Sequence, residues 1–131
     1  LELWLGTEEY GGTTQTPDLQ PLLTGSLFPK LKYLGLRNSE IVNEVAAVVV
    51  NSPVVDQLEF LDLSLGVLTD EGAKALLNLK DHKHLKRLNV HYNFCSAGMI
   101  KELKALRFAV DTSRPSDMED DEDWRFVAVG E

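Results

Sequence analysis

Few residues in this chain have the types and spacing that chemistry requires, and they form no complete catalytic or metal-binding set. Asp62, Ser64 and His91 are the residue types of a serine-hydrolase triad, and they would stand on neighbouring strands of one sheet face. On an open face such a triad would have no oxyanion hole and no pocket. His82 and His84 are two residues apart, so they would not share a helix face, and no cysteine or acid completes a metal site. We therefore expect no enzyme activity, no catalytic residues, no metal and no cofactor.

A larger group of side chains has the composition of a protein-binding surface. These residues alternate with regularly spaced leucines, so on a strand they would all project from the face opposite to the leucines. Aromatic rings and arginine are enriched at the anchor points of protein interfaces. We predict that this face binds another protein, although Trp4 and Phe60 could instead simply cover the sheet. The predicted contact residues are Trp4, Tyr33, Arg37, Phe60, Asp62, Ser64, Arg87, Asn89 and His91.

The elements that must hold these side chains follow from a spacing of 27 residues. Leu34-Gly35-Leu36, Leu61-Asp62-Leu63 and Leu88-Asn89-Val90 stand at the same phase. A repeat of this length predicts stacked units, each a strand followed by a turn, a helix and a return loop. From Leu1 and Leu3 the step to the next strand is 33 residues, so we expect a loop insertion within Gly6–Thr16.

Each unit also contains helix signals after its strand. We expect a helix over Asn43–Asn51, although the valine run Val48–Val50 could also form a strand. Thr69 and Ser96 are the predicted N-caps of two further helices. The single cysteine, Cys95, takes the place of a buried leucine in the repeat, so we predict that it is structural.

These motifs resemble the leucine-rich repeats of the ribonuclease-inhibitor type, over Leu1 to about Leu106. More closely, the chain resembles the C-terminal half of an uncharacterised family of bacterial cytoplasmic leucine-rich-repeat proteins. The stretches that carry the resemblance are Leu31–Ile41, Leu61–Gly66 and Phe126–Glu131. The resemblance implies an α/β solenoid, a horseshoe fragment with its parallel sheet on the concave face and its helices on the convex face. It implies a binding role, but it brings no activity and no site residues.

The chain divides at about residue 110. We predict a solenoid of about four β–α units over residues 1–110, and an acidic loop with a C-terminal capping strand over residues 111–131. The strand Trp124–Val129 would pair beside Phe108–Val110. The acids within Asp117–Asp123 lack the spacing of a calcium loop, so we interpret them as a solvated run. Because the chain begins inside a strand pattern, we expect it to be the C-terminal part of a longer protein.

The net charge limits the class of binding partner, and the cysteine content indicates the cellular compartment. The formal net charge is −8, which argues against nucleic acid or an anionic membrane as the partner. The one basic run, Lys80–Arg87, we interpret as the solvated end of a helix. A single thiol, no signal peptide and no membrane-length apolar run indicate the cytoplasm. The sequence therefore predicts a protein–protein interaction scaffold. The alternative is a non-catalytic part of a larger enzyme whose catalytic domain lies upstream.

Overall fold

The computed structural model describes residues 1–7, 12–113 and 127, and over these residues it shows an α/β fold. Within them, five parallel strands form one open sheet in chain order: β1 (Glu2–Gly6), β2 (Tyr33–Ser39), β3 (Phe60–Asp62), β4 (Arg87–Asn89) and β5 (Ala109–Asp111). The α-helices are α1 (Gln20–Leu23), α2 (Val42–Val49), α3 (Asp70–Leu76) and α4 (Ala97–Lys104). Single 3₁₀ turns cover Thr16–Leu19, Pro53–Asp56 and Leu77–Asp81. The predicted α/β class with a parallel sheet is confirmed.

The register of the sheet reproduces the 27-residue spacing. Leu34 pairs with Leu61, and Leu61 pairs with Leu88. The step between β1 and β2 is 33 residues, since Leu3 pairs with Leu36. The extra residues follow β1, as predicted, and residues 8–11 of that insertion lie outside the described part of the chain.

The core lies between the sheet and the helices, because one side chain in two on each strand points to the same side. The strand leucines on that side and the inner positions of the helices form one cluster of buried residues. Burial also explains why α2 forms despite its valines. Val45, Ala46 and Val49 are fully buried, so packing outweighs their weak helix propensity. Cys95 is buried as predicted.

Side chains of one unit hold the helix start of the next unit. The Asn43 carboxamide oxygen accepts hydrogen bonds from the backbone N–H groups of Thr69 and Gly72, both at 3.1 Å. At the equivalent position of the next unit, Asp70 Oδ1 accepts a hydrogen bond from Ser96 N at 2.7 Å. Thr69 stands at the predicted N-cap, but its hydroxyl receives a hydrogen bond from the Asn43 amide and does not cap its own helix. Ser96 does cap α4, accepting a hydrogen bond from Met99 N.

A recurring short turn follows β3, β4 and β5. The side chains of Asp62, Asn89 and Asp111 each accept a hydrogen bond from the backbone N–H two residues later. This local bond offers the backbone an alternative to regular pairing, and these three strands are each three residues long. The equivalent position in β2 is Gly35, which has no side chain to form the turn, and β2 extends over seven residues.

Asn93 links the residues that follow β4 and β5. Its side-chain amide donates to the carbonyl oxygens of Val90 and Thr112, each at 2.9 Å, and its oxygen accepts from Cys95 N at 3.0 Å. The residue is fully buried, and all of its polar groups have partners. The predicted strand Phe108–Val110 corresponds to β5. Of the predicted acidic loop and capping strand over residues 111–131, the structure describes only residues 111–113 and 127. Asp111 is the last residue of β5, and Thr112 and Val127 are buried.

Candidate functional site

The face of the sheet opposite to the helices carries the predicted contact residues. Aligned positions form rows across the strands, because the register places Tyr33, Phe60, Arg87 and Ala109 side by side, with Gly35, Asp62, Asn89 and Asp111 as the next row. We call this surface the sheet face. It consists of Glu2, Trp4, Tyr33, Gly35, Arg37, Phe60, Asp62, Ser64, Arg87, Asn89, His91, Ala109, Asp111 and Ser113.

On β1 to β3, charged and polar side chains bind one another. Arg37 Nη1 lies 2.7 Å from Glu2 Oε1, and Arg37 Nε donates to Ser64 Oγ at 2.9 Å and lies 3.4 Å from Asp62 Oδ2. Asp62 and Ser64 are buried, and the Arg37 side chain packs over both of them. With Tyr33, these residues make up what we call the closed network.

The Tyr33 hydroxyl lies between two carboxylates of this network. Its oxygen is 3.0 Å from Glu2 Oε1 and 3.2 Å from Asp62 Oδ2. The position requires Gly35, since a Cβ there would stand 2.6 Å from the phenol oxygen. Burial, together with the negative charges of Asp62 and Glu2, raises the pKa of Tyr33 above its usual 10.0, so the phenol remains a neutral donor.

The arginine and the glutamate of the network hold each other in their charged forms. The hydrogen bond from Arg37 lowers the pKa of the Glu2 carboxyl below its usual 4.5. Burial opposes the charge on Arg37, but the hydrogen bond to Glu2 and the charge of Asp62 outweigh it and raise the Arg37 pKa. Arg37 and Glu2 are therefore both charged and paired with each other at neutral pH.

Aromatic rings stand beside this network with fixed neighbours. Trp4 is 49% exposed, and the Arg37 guanidinium lies 5.2 Å from its ring centroid. Tyr33 and Phe60 pack edge to face, with centroids 5.0 Å apart at 88°. The Arg87 guanidinium lies 4.6 Å from the Phe60 centroid. Stacked cations restrict the rings and leave apolar surface open to a partner.

On β4 and β5 the same face is more open, and we call this part the open half. It consists of Arg87, Asn89, His91, Ala109, Asp111 and Ser113. A shallow pocket of about 160 Å³ lies here, between Phe60 and the side chains of β4 and β5. His91 Nδ1 is 2.7 Å from Ser113 Oγ, whose hydroxyl donates to Asp111 Oδ1 at 2.6 Å. That hydroxyl holds the pKa of Asp111 below its usual 3.8.

In the structure, the serine and the histidine of the candidate triad are hydrogen-bonded to other side chains. Ser64 Oγ accepts a hydrogen bond from Arg37 Nε, whereas His91 Nδ1 pairs with Ser113. Among the described residues, no three or more His, Cys, Asp or Glu side chains are grouped to hold a metal ion. Nor is any described helix long and apolar enough to span a membrane.

The sequence reasoning missed the part of the sheet face contributed by β5. Ala109 and Asp111 line the pocket, and the Ser113 hydroxyl donates a hydrogen bond that holds the Asp111 carboxylate. The step from β4 to β5 is 22 residues, since Leu88 pairs with Val110, so the 27-residue spacing does not reach them. A signal was available in the pattern Asp-x-Ser, which is shared by Asp62–Ser64 and Asp111–Ser113 and marks the turn after a strand.

Comparison with known proteins gives two similar structures. The crystal structure of a Bacteroides fragilis protein, a structural genomics target, is 39% identical over 98% of this chain, with a TM-score of 0.83. This chain spans 36% of that protein's chain. The structure of leiomodin-1 actin-binding site 2 has a TM-score of 0.60 and 16% identity, covering 89% of this chain and 71% of its own, and shows likeness of fold alone. No protein-family model and no curated protein matches the chain. The similarity and the parallel sheet fit a bacterial α/β protein.

Proposed function

We propose that this chain is part of a leucine-rich-repeat solenoid and that its sheet face binds another protein. The repeat assignment is supported by strands that follow in chain order and pair at the 27-residue step. It is also supported by the equivalent roles of Asn43 and Asp70, each of which holds the helix of the following unit. In such an arrangement the units stack side by side, and the strands line one continuous concave surface.

The observation that carries the binding role is the pairing of an exposed aromatic ring, Trp4, with an arginine that is held in place, Arg37. Trp4 is half exposed beside Arg37, and Arg37 is itself held by Glu2 and Ser64. A ring whose neighbour cannot move loses little conformational freedom on binding, so more of the contact energy remains for affinity. Trp and Arg are the residue types that dominate interface energetics.

The charges of the face favour protein over nucleic acid as the partner. Arg37 is already bound to Glu2 and lies beside Asp62, so it offers little to a phosphate backbone. The chain as a whole carries a formal charge of −8, which repels polyanions. With one buried thiol, a reducing compartment such as the cytoplasm is the proposed location.

The test is quantitative affinity capture from extracts of the source organism with matched variants. Trp4→Ala removes the exposed anchor, and Phe28→Ala removes another exposed ring that lies before β2, away from the sheet face. We expect Trp4→Ala to lose partners that the wild type and Phe28→Ala both retain. Thermal unfolding of the wild type and of every variant, including Arg37→Met, checks that the fold is intact. If Trp4→Ala and Arg37→Met capture the same proteins as wild type, the sheet face is not the binding surface.

A further inference from the structure

The pocket of the open half exists because a small residue interrupts a row of large ones. In the row that crosses the sheet, Phe60 and Arg87 are followed by Ala109 on β5. The space that a long side chain would fill is the pocket of about 160 Å³, with Phe60 as one wall and Asn89 and Asp111 along another. Its size matches one amino-acid side chain and not a whole cofactor.

Hydrogen-bond donors line one side of this pocket, and no acid among the described residues forms an ion pair with them. Arg87 is exposed, its guanidinium contacts the Phe60 ring, and it takes part in none of the ion pairs between described residues. The guanidinium has five N–H donors, and stacking on a ring leaves their edges available for hydrogen bonds. Asn89 uses its oxygen to accept from His91 N, so its amide N–H₂ is the group left for a ligand. Guanidinium and amide donors together suit a carboxylate.

A fixed negative charge stands at the other side of the pocket. Asp111 Oδ1 accepts hydrogen bonds from both the backbone N–H and the hydroxyl of Ser113, at 2.9 and 2.6 Å. Those bonds stabilise the charged carboxylate. A ligand with one negative charge can place it against Arg87, but a ligand with two charges on one group would also be repelled by Asp111.

We propose that this pocket binds the carboxylate of a single Asp or Glu side chain from the partner protein, and that Asp111 makes it reject a phosphate group. The inference rests on the proposed protein-binding function. Arg87 and Asn89 hold the carboxylate, the aliphatic part of the side chain lies against Phe60 and Ala109, and Asp111 sets the charge that is accepted.

The experiment is an NMR titration of the 131-residue chain with short peptides whose ends are blocked, so that their only charge is on the central side chain. The central residue is Glu, Gln, Lys or phosphoserine in otherwise identical peptides. We expect saturable shifts of the Arg87 Nε–H and Asn89 side-chain signals with the Glu peptide, and affinities weaker by roughly tenfold or more for the other three. Equal binding of Glu and Gln peptides, tighter binding of the phosphoserine peptide, or no saturable shift with the Glu peptide would overturn the proposal.

Matched variants tie the signal to the pocket. Arg87→Met should weaken the Glu peptide by roughly tenfold or more, while Arg107→Met, which removes a guanidinium lying over Phe108, should leave it unchanged. Ala109→Leu should abolish binding by filling the space, and the same change at exposed Ala47 on α2 should not.

Asp111→Asn keeps an acceptor for Ser113 but removes the charge, so it should admit the phosphoserine peptide. If Asp111→Asn leaves the preference for Glu over phosphoserine unchanged, Asp111 does not select the ligand and that part of the proposal is wrong.

The two proposals fail differently. If Trp4→Ala loses the captured partner but Ala109→Leu retains it, the sheet face binds protein and the pocket is not its anchor. If neither variant changes the captured proteins, the sheet face itself is not the interface. If Ala109→Leu and Arg87→Met both lose the partner while Arg107→Met retains it, the pocket takes part in the interface.

Discussion

The closed network and the open half are neighbouring parts of one face, but they satisfy their charges in opposite ways. In the closed network, Arg37 is bound to Glu2 and Ser64 and lies beside Asp62. In the open half, Arg87 rests on a ring and a pocket lies beside it. Removing one partner of a buried charge pair is costly, whereas a charge that forms no ion pair with a described residue remains available to a ligand. The same residue type therefore serves two purposes on two strands, β2 and β4, of the same sheet.

The largest loss of stability is expected when Asn93, which supports the open half from within the fold, is replaced. Asn93→Ala would leave the carbonyl oxygens of Val90 and Thr112 and the N–H of Cys95 without their buried partner. We expect the free energy of unfolding to fall by about 3 kcal/mol, measured by urea denaturation. Asn51→Ala removes one exposed hydrogen bond and should cost under about 0.5 kcal/mol. Equal losses in the two variants would show that Asn93 is not a structural link.

The next effect contrasts the two arginines directly. Arg37→Met would leave the buried Asp62 carboxylate without its cation and should lower the free energy of unfolding by about 2 kcal/mol. Arg87→Met should change it by under about 0.5 kcal/mol, because that side chain is exposed and its guanidinium lies over one ring. Urea denaturation of the two variants checks the difference. Similar values for both would remove the distinction between a closed and an open part of the face.

A smaller effect is expected at Tyr33, and it depends on pH. Tyr33→Phe removes the hydroxyl shared by Glu2 and Asp62 and should cost about 1 kcal/mol near neutral pH. Since the Tyr33 pKa is higher in the folded than in the unfolded chain, this contribution is complete below the usual value of 10.0 and is lost as the pH rises above it.

The wild type should therefore lose more stability than Tyr33→Phe between about pH 9 and pH 11. Denaturant unfolding at the two pH values measures this loss. Parallel losses in both proteins would contradict the placement of the phenol between two charged groups.

The smallest effect concerns the charge of the open half. Ser113→Ala removes an exposed hydroxyl, so the free energy of unfolding should change by under about 0.5 kcal/mol. The pKa of Asp111 should nevertheless rise toward its usual 3.8, because the hydroxyl is the main cause of its depression. Carboxyl-detected NMR titration measures the pKa. An unchanged pKa would assign the depression to the backbone N–H of Ser113, which the variant keeps, and to the neighbouring His91 and Lys104.

The spacing of leucines was sufficient to predict β2, β3 and β4 and the register in which they pair. Leu34, Leu61 and Leu88 pair as the 27-residue step requires, because aliphatic side chains at fixed positions must face a common core. The same reasoning placed Cys95 in the core. The spacing also predicted which side chains share the sheet face, since alternation along a strand assigns them to one side.

The positions of individual side chains on that face did not follow from spacing. Asp62 and Ser64 were expected to contact a partner, but they are buried under Arg37 because a long side chain can fold back over shorter ones. Asp111 was not predicted to lie on the sheet face, because the step from β4 to β5 is shorter than the 27-residue spacing. Contacts of this kind depend on three-dimensional neighbours from different units, which a single period in the sequence does not specify.

Because a side chain of one helix holds the start of the next helix, the consequences of local unfolding depend on which helix unfolds first. Asn43 holds the start of α3, and Asp70 on α3 holds the backbone at the start of α4. If α2 unfolds, α3 loses the acceptor that Asn43 provides, and if α3 then unfolds, the start of α4 loses the acceptor that Asp70 provides. If α4 unfolds, α3 keeps its cap. Among the described helices, unfolding that begins at α4 can therefore stop there, while unfolding that begins at α2 weakens α3 and then α4.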